Sequence, residues 1–166
     1  MVRRREHSRI AFTLLELIMV MLIMTVAMAV IVPSLTNSTR AQRVDDTAAI
    51  IVSLCNYAHS QSISEGRPFR LNIDAAAGSY WLSAQTAGQF NDVGSEFGQR
   101  YQIEDGMRIQ TDLPQREDGT YVTFNLNGRV DPAPVSVQVS DSGGAVANIT
   151  CESPTELFHI VEKRKR

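Results

Sequence analysis

Two hydrophobic patterns divide the chain. Phe12–Val32 is almost unbrokenly apolar, and no charged side chain occurs from Leu17 to Thr39. Its twenty-one residues, at ~1.5 Å each, would make a helix about 31 Å long, close to the thickness of a bilayer core. After the polar stretch 34–46, apolar residues return at Val44, Ala48, Ile51, Cys55 and Ala58, a spacing of three to four that marks one helical face. Gly66 and Pro68 supply the stop signal. The pattern predicts one helix over residues 13–64, apolar all round in its first half and amphipathic in its second. Pro33 should kink it, because proline removes an i→i−4 hydrogen bond.

Beyond Gly66 the period falls to two. Phe69, Leu71 and Ile73 alternate with polar neighbours, as do Val122, Phe124 and Leu126, and then Val135, Val137 and Val139. With segments 80–82, 107–111, 145–151 and 157–162 this predicts about seven short strands. Gly-containing turns separate them, Asp105-Gly106, Asp118-Gly119 and Asn127-Gly128 among them. Residues 86–99 lack periodicity and read as a loop. The fold class is therefore α+β, a long N-terminal helix packed on an antiparallel β-sheet domain. The expected organisation is a leader over 1–11, a transmembrane half-helix over 12–35, an amphipathic half-helix over 36–64 and a β-rich domain over 65–166.

Charge sharpens this. The chain carries 16 Lys+Arg and 18 Asp+Glu, unevenly placed. Arg3, Arg4, Arg5 and Arg9 precede the apolar run, Lys163, Arg164, Lys165 and Arg166 close the chain, and residues 12–162 between them are net −9. An acidic body is not that of a general nucleic-acid binder. The basic start leaves the N-terminus in the cytoplasm and the rest of the chain across the membrane. The tail is either a solvated terminus or a patch for nucleic-acid phosphates; four cations without interleaved aromatic residues favour the former.

Glu16 is the anomaly. A charge near a bilayer centre costs about 2.5–3.5 kcal/mol, and twelve Phe, Leu, Ile or Val residues at roughly −0.3 to −0.6 kcal/mol each outweigh it. Insertion survives, yet an intramembrane carboxylate implies a function. An ordinary secretory signal with a site at Ala27-Met28-Ala29 does not account for an apolar run that continues to Val32. A plain anchor explains orientation but not Glu16.

The segment Ala11-Phe12-Thr13-Leu14-Leu15-Glu16-Leu17 resembles the class III signal of type IV pilins and type II secretion pseudopilins. The resemblance implies cleavage by a prepilin peptidase between Ala11 and Phe12 and N-methylation of Phe12. It makes Glu16 the fifth mature residue and Pro33 the twenty-second, both as in the family; Ala11 departs from the family's usual Gly. Glu16 and Pro33 would then serve assembly, with Glu16 of one subunit pairing with the terminal amine of the next. Ser64-Glu65-Gly66-Arg67-Pro68, the Phe69–Asp74 strand and Val122–Arg129 are similar to the GspH/FimT minor pseudopilins. That likeness implies a structural subunit of a type II secretion pseudopilus whose partners are other pilins or pseudopilins. The alternative it leaves is a FimT-like minor pilin that binds DNA through the tail, Lys163–Arg166.

Enzymatic motifs do not occur. His7, His59 and His159 are scattered, no zinc spacing is present, and there is no nucleophile elbow, phosphate loop or dinucleotide fingerprint. The reading is a non-enzyme without cofactor or metal. Cys55 and Cys151 would meet an oxidising compartment after translocation, so a disulfide is permitted; two small buried residues are the simpler reading.

Overall fold

The computed structural model describes residues 14–161, with the side chains of residues 29–38 and Glu96 excepted. Helix α1 (Leu14–Glu65) runs through Pro33 without a break in its assignment. Ten strands follow, β1 (Phe69–Asp74), β2 (Ser79–Thr86), β3 (Gln89–Asp92), β4 (Tyr101–Gln102), β5 (Met107–Thr111), β6 (Tyr121–Phe124), β7 (Val130–Asp131), β8 (Val135–Asp141), β9 (Val146–Cys151) and β10 (His159–Val161). Contacts divide the chain between Ser38 and Thr39 into two units.

In the C-terminal unit the strands form two antiparallel sheets. The first has the order β3-β2-β1-β6-β7, with β4 also on β2; the second has the order β10-β9-β8-β5. Alternation dictates the packing, since successive side chains of a strand point to opposite faces. Phe69, Leu71 and Ile73 of β1 are buried together with Leu82 of β2 and Val122 and Phe124 of β6. The second sheet contributes Val135, Val137 and Val139 of β8, and Ile149 and Cys151 of β9. Both sets join one core with Val44, Ala48, Ile51, Leu54, Cys55 and Ala58 of α1. Those helical positions follow a 3.6-residue period, so one stripe of the helix is buried while its other sides stay wet.

The end of α1 is also tied down by polar bonds. His59 Nε2 lies 3.1 Å from the Gly128 carbonyl, and the Ser62 hydroxyl donates to the Asn125 carbonyl at 3.2 Å. Gly128 has φ +75°, a left-handed conformation, and a Cβ there would sit 3.3 Å from Ile63 Cδ1. The β6–β7 turn can therefore press on the helix only with glycine at this position.

One expectation is corrected. Residues 86–99 are not all loop, because Gln89–Asp92 forms strand β3, paired with Ser83–Thr86 of β2. Ala87 and Gly88 both have positive φ, 53° and 84°, which suits a two-residue hairpin whose turn twist matches its strands. β3 is an edge strand with three of its four residues exposed, so it carries no apolar alternation to reveal it. A short 3-10 turn, Glu96–Gly98, lies further along the same stretch, and Phe97 there stacks on Tyr57 of α1 with 4.3 Å between ring centroids.

Candidate functional site

Among the described side chains, the first half of α1 is apolar and exposed all round. From Leu14 to Met28 its large hydrophobic residues are between 44% and 82% exposed. No residue of 14–28 belongs to the buried core. The Thr25 hydroxyl donates to the Met21 carbonyl one turn back at 2.7 Å. Glu16 lies near the start of the described part of the helix. Among the described residues no helix is long and apolar enough to cross a membrane. The expected span, 12–35, lies partly outside them, since its described side chains are those of residues 14–28.

The remaining sequence-derived positions distribute as follows. Ala11 and Phe12, the expected cleavage pair, and the tail Lys163, Arg164, Lys165 and Arg166 lie outside the described residues. Pro33 is within α1, with its side chain outside them. Among the described residues no group of three or more His, Cys, Asp or Glu side chains could hold a metal ion.

Cys55 and Cys151 are both buried and unbridged. The Cys151 thiol donates to the carbonyls of Ser153 and Glu156 at 3.1 and 3.3 Å. Burial pushes the Cys55 thiol up, and the Cys151 charge adds to the shift. Cys151 is raised by burial and by Glu156, against a lowering from its bond to the Ser153 backbone. Tyr80, buried and stacked on Tyr101 at 5.4 Å, is pushed up from 10.0 to about 12 by burial first and by Tyr101 second. All three groups thus hold their protons more tightly folded than unfolded. Their contribution to stability is complete below the unfolded values, 9.0 for the thiols and 10.0 for tyrosine, and is lost as pH rises through the folded ones. Denaturant midpoints should therefore be insensitive to these groups at pH 7–8 and fall above pH ~9. In a parallel measurement iodoacetamide at pH ~8 should leave both thiols of the native protein unmodified and alkylate both after unfolding. Rapid labelling of the native protein would contradict this placement of the cysteines.

Sequence reading missed one feature, a set of arginine–aromatic stacks on the first sheet. Arg70, Arg100 and Arg116 lie over the rings of Phe90, Trp81 and Tyr121, and Arg70 over Tyr121 as well. The partners are 20 to 51 residues apart along the chain for Arg70, so only the strand register reveals them.

No family model matches the chain, and no curated protein sequence matches it. Solved structures do. The minor pseudopilin EpsH of the Vibrio cholerae type 2 secretion system superposes with a TM-score of 0.63 at 12% identity, over 74% of this chain and 99% of that one. The solution structure of Escherichia coli GspH gives 0.58 at 12% identity, over 75% and 91%. The Pseudomonas aeruginosa type IV minor pilin FimU gives 0.57 at 11% identity, over 75% and 92%. At such identities the likeness is one of fold. It is the pilin-like α+β fold, a helix followed by an antiparallel β domain, seen in minor pseudopilins and minor pilins alike.

Proposed function

We propose that this chain is a minor pilin-like structural subunit of a type II secretion pseudopilus, assembling into or priming an envelope-spanning filament for protein secretion. The observation that carries this reading is the exposed apolar first half of α1, continuous in one helix with a globular domain of minor-pseudopilin fold. Such a helix is suited to wait in the inner membrane and then to exchange lipid for neighbouring helices. The β domain, with its own core, faces the periplasm and meets other subunits there. None of this calls for an enzyme.

Processing prepares the helix. Cleavage between Ala11 and Phe12 by a prepilin peptidase would remove the arginine-rich leader and leave an α-amine at Phe12, one helical turn before Glu16. N-methylation keeps the positive charge of an amine. Pairing Glu16 of one subunit with the amine of the next relieves two charges in an apolar setting and sets the axial step between subunits. Co-expression with a prepilin peptidase should yield a mature chain that begins at N-methylated Phe12, read by intact mass and N-terminal sequencing. A chain cut after Ala29, or left whole by an active peptidase, would remove the pilin reading.

A further inference from the structure

The second sheet ends in an edge that is only half covered. β10 pairs with β9 from His159, opposite Thr150, to Val161, opposite Asn148, whereas β9 begins two residues earlier, at Val146. In an antiparallel ladder successive residues bond to alternate neighbours. The Asp141 N–H donates to the Ala145 carbonyl at 3.0 Å across the β8–β9 pair. Val146, the next position, therefore turns its N–H and C=O to the other side of β9, the side on which β10 lies. Among the described residues none stands opposite Val146 there. Such a bare stretch of edge is a template for a further length of strand.

β10 heads along that stretch, and the chain continues from it as Glu162, Lys163, Arg164, Lys165 and Arg166. Carried on in the same register, Glu162 falls opposite Ala147, Lys163 opposite Val146 and Arg164 opposite Ala145. Residues 162–166, extended at ~3.3 Å each, span about 17 Å and come level with the β8–β9 turn. Alternation also sorts their sides. Ala147 and Ile149 of β9 face the core, so Glu162, Arg164 and Arg166 take the core side and the two lysines the outer one. Asp141 follows Val137 and Val139 on that same core side of β8. It lines a groove of about 160 Å³ at this end of the sheet, with Arg40, Arg43, Glu104 and Asp105. Arg43 is committed to Glu104 at 2.9 Å, and neither Asp105 nor Asp141 has an ion pair among the described residues. Three carboxylates against two guanidiniums leave the groove acidic, the complement of the basic segment.

We propose that residues 162–166 form a strap on their own domain: β10 continues through Lys163 on Val146, and Arg164 and Arg166 meet Asp141 and Asp105. Attachment at Val161 gives the segment a millimolar effective concentration at this edge, so individually weak contacts suffice to hold it. Nucleic acid has no such advantage, and residues 12–162, net −9, repel its phosphates. The strap replaces a bare edge by one that carries lysines, which discourages pairing with other chains. Its geometry lies wholly within the C-terminal unit, so it stands apart from the filament reading.

NMR of the full-length protein in a zwitterionic detergent at low salt tests this. The Val146 amide should exchange slowly, and Hα–Hα contacts should link Ala147 to Glu162 and Ala145 to Arg164, the closely spaced pairs of such a ladder. The double variant Arg164→Glu, Arg166→Glu should keep the wild-type melting curve and the slow exchange of Ile149, whose bonds run to β8. Its Val146 amide should exchange about tenfold faster or more. Salt at ~1 M, which shortens the screening length to about 3 Å, should act on the wild type in the same direction. Equal Val146 exchange in wild type and variant would overturn the proposal, as would absence of both Hα contacts. Contacts found only between differently labelled copies would also overturn it and make the segment a link between subunits.

Discussion

Phe124→Ala is expected to cost about 3–5 kcal/mol, the range for removing a large ring from a packed core. Phe124 is 1% exposed, stands opposite Phe69 across the β1–β6 pair, and meets the Phe158 ring at 5.9 Å. Its ring therefore joins the first sheet to the segment just before β10, within the one core that also takes in the buried stripe of α1. Whole domains are stable by only about 5–15 kcal/mol, so this single change should consume a large share of the total. With roughly 2–4 °C per kcal/mol for a domain of this size, the melting temperature should drop by ~6–20 °C. Leu126, two residues further on and 55% exposed, is the control. Leu126→Ala should stay within about 0.5 kcal/mol of wild type. Similar losses for both variants, read by denaturant unfolding at pH ~7, would mean that the β6 register places its residues on the wrong faces.

That register was legible in part. The stripe Val44, Ala48, Ile51, Cys55 and Ala58 announces the amphipathic half of α1 because only a helix brings those positions to one side. β1 and β8 are equally plain, since each alternates strictly between apolar and polar residues. β3 is not, because an exposed edge strand has no buried face to write into its sequence. β4 and β7 have two residues each, too few to show any period. The division into two sheets was also hidden. Alternation tells which side of a strand is buried but not which strand it joins, and β5 pairs with β8 rather than with its sequence neighbours. The same limit concealed the arginine–aromatic stacks, since Arg70 meets Tyr121 only through the pairing of Asn72 with Tyr121 across β1 and β6. The N-terminal features differ in kind. Ala11 and Phe12 lie outside the described residues, so the motif they make with Glu16 rests on local sequence spacing alone.

Glu16→Ala is expected to leave membrane insertion intact and to reduce co-purification with pilin or pseudopilin partners by at least about tenfold, the equivalent of ~1.4 kcal/mol per interface. The two halves of this expectation have opposite signs for a physical reason. Removing a carboxylate from an apolar run makes insertion easier, because a charge near the bilayer centre costs about 2.5–3.5 kcal/mol. In the proposed reading the return comes from a partner, through the α-amine that cleavage before Phe12 would create. Losing Glu16 would leave that amine uncompensated among apolar helices, where an unpaired buried charge costs about 3–5 kcal/mol. Assembly should fail even though every apolar contact of Leu14–Met28 remains. Glu16→Gln separates charge from shape, since it keeps the size and the hydrogen-bonding oxygen but not the anion. It should behave like Glu16→Ala in assembly, while Glu16→Asp should recover part of it. Wild-type assembly by Glu16→Gln would show that the anion is dispensable and reduce the chain to an anchored periplasmic domain, whose carboxylate reaches toward the membrane surface.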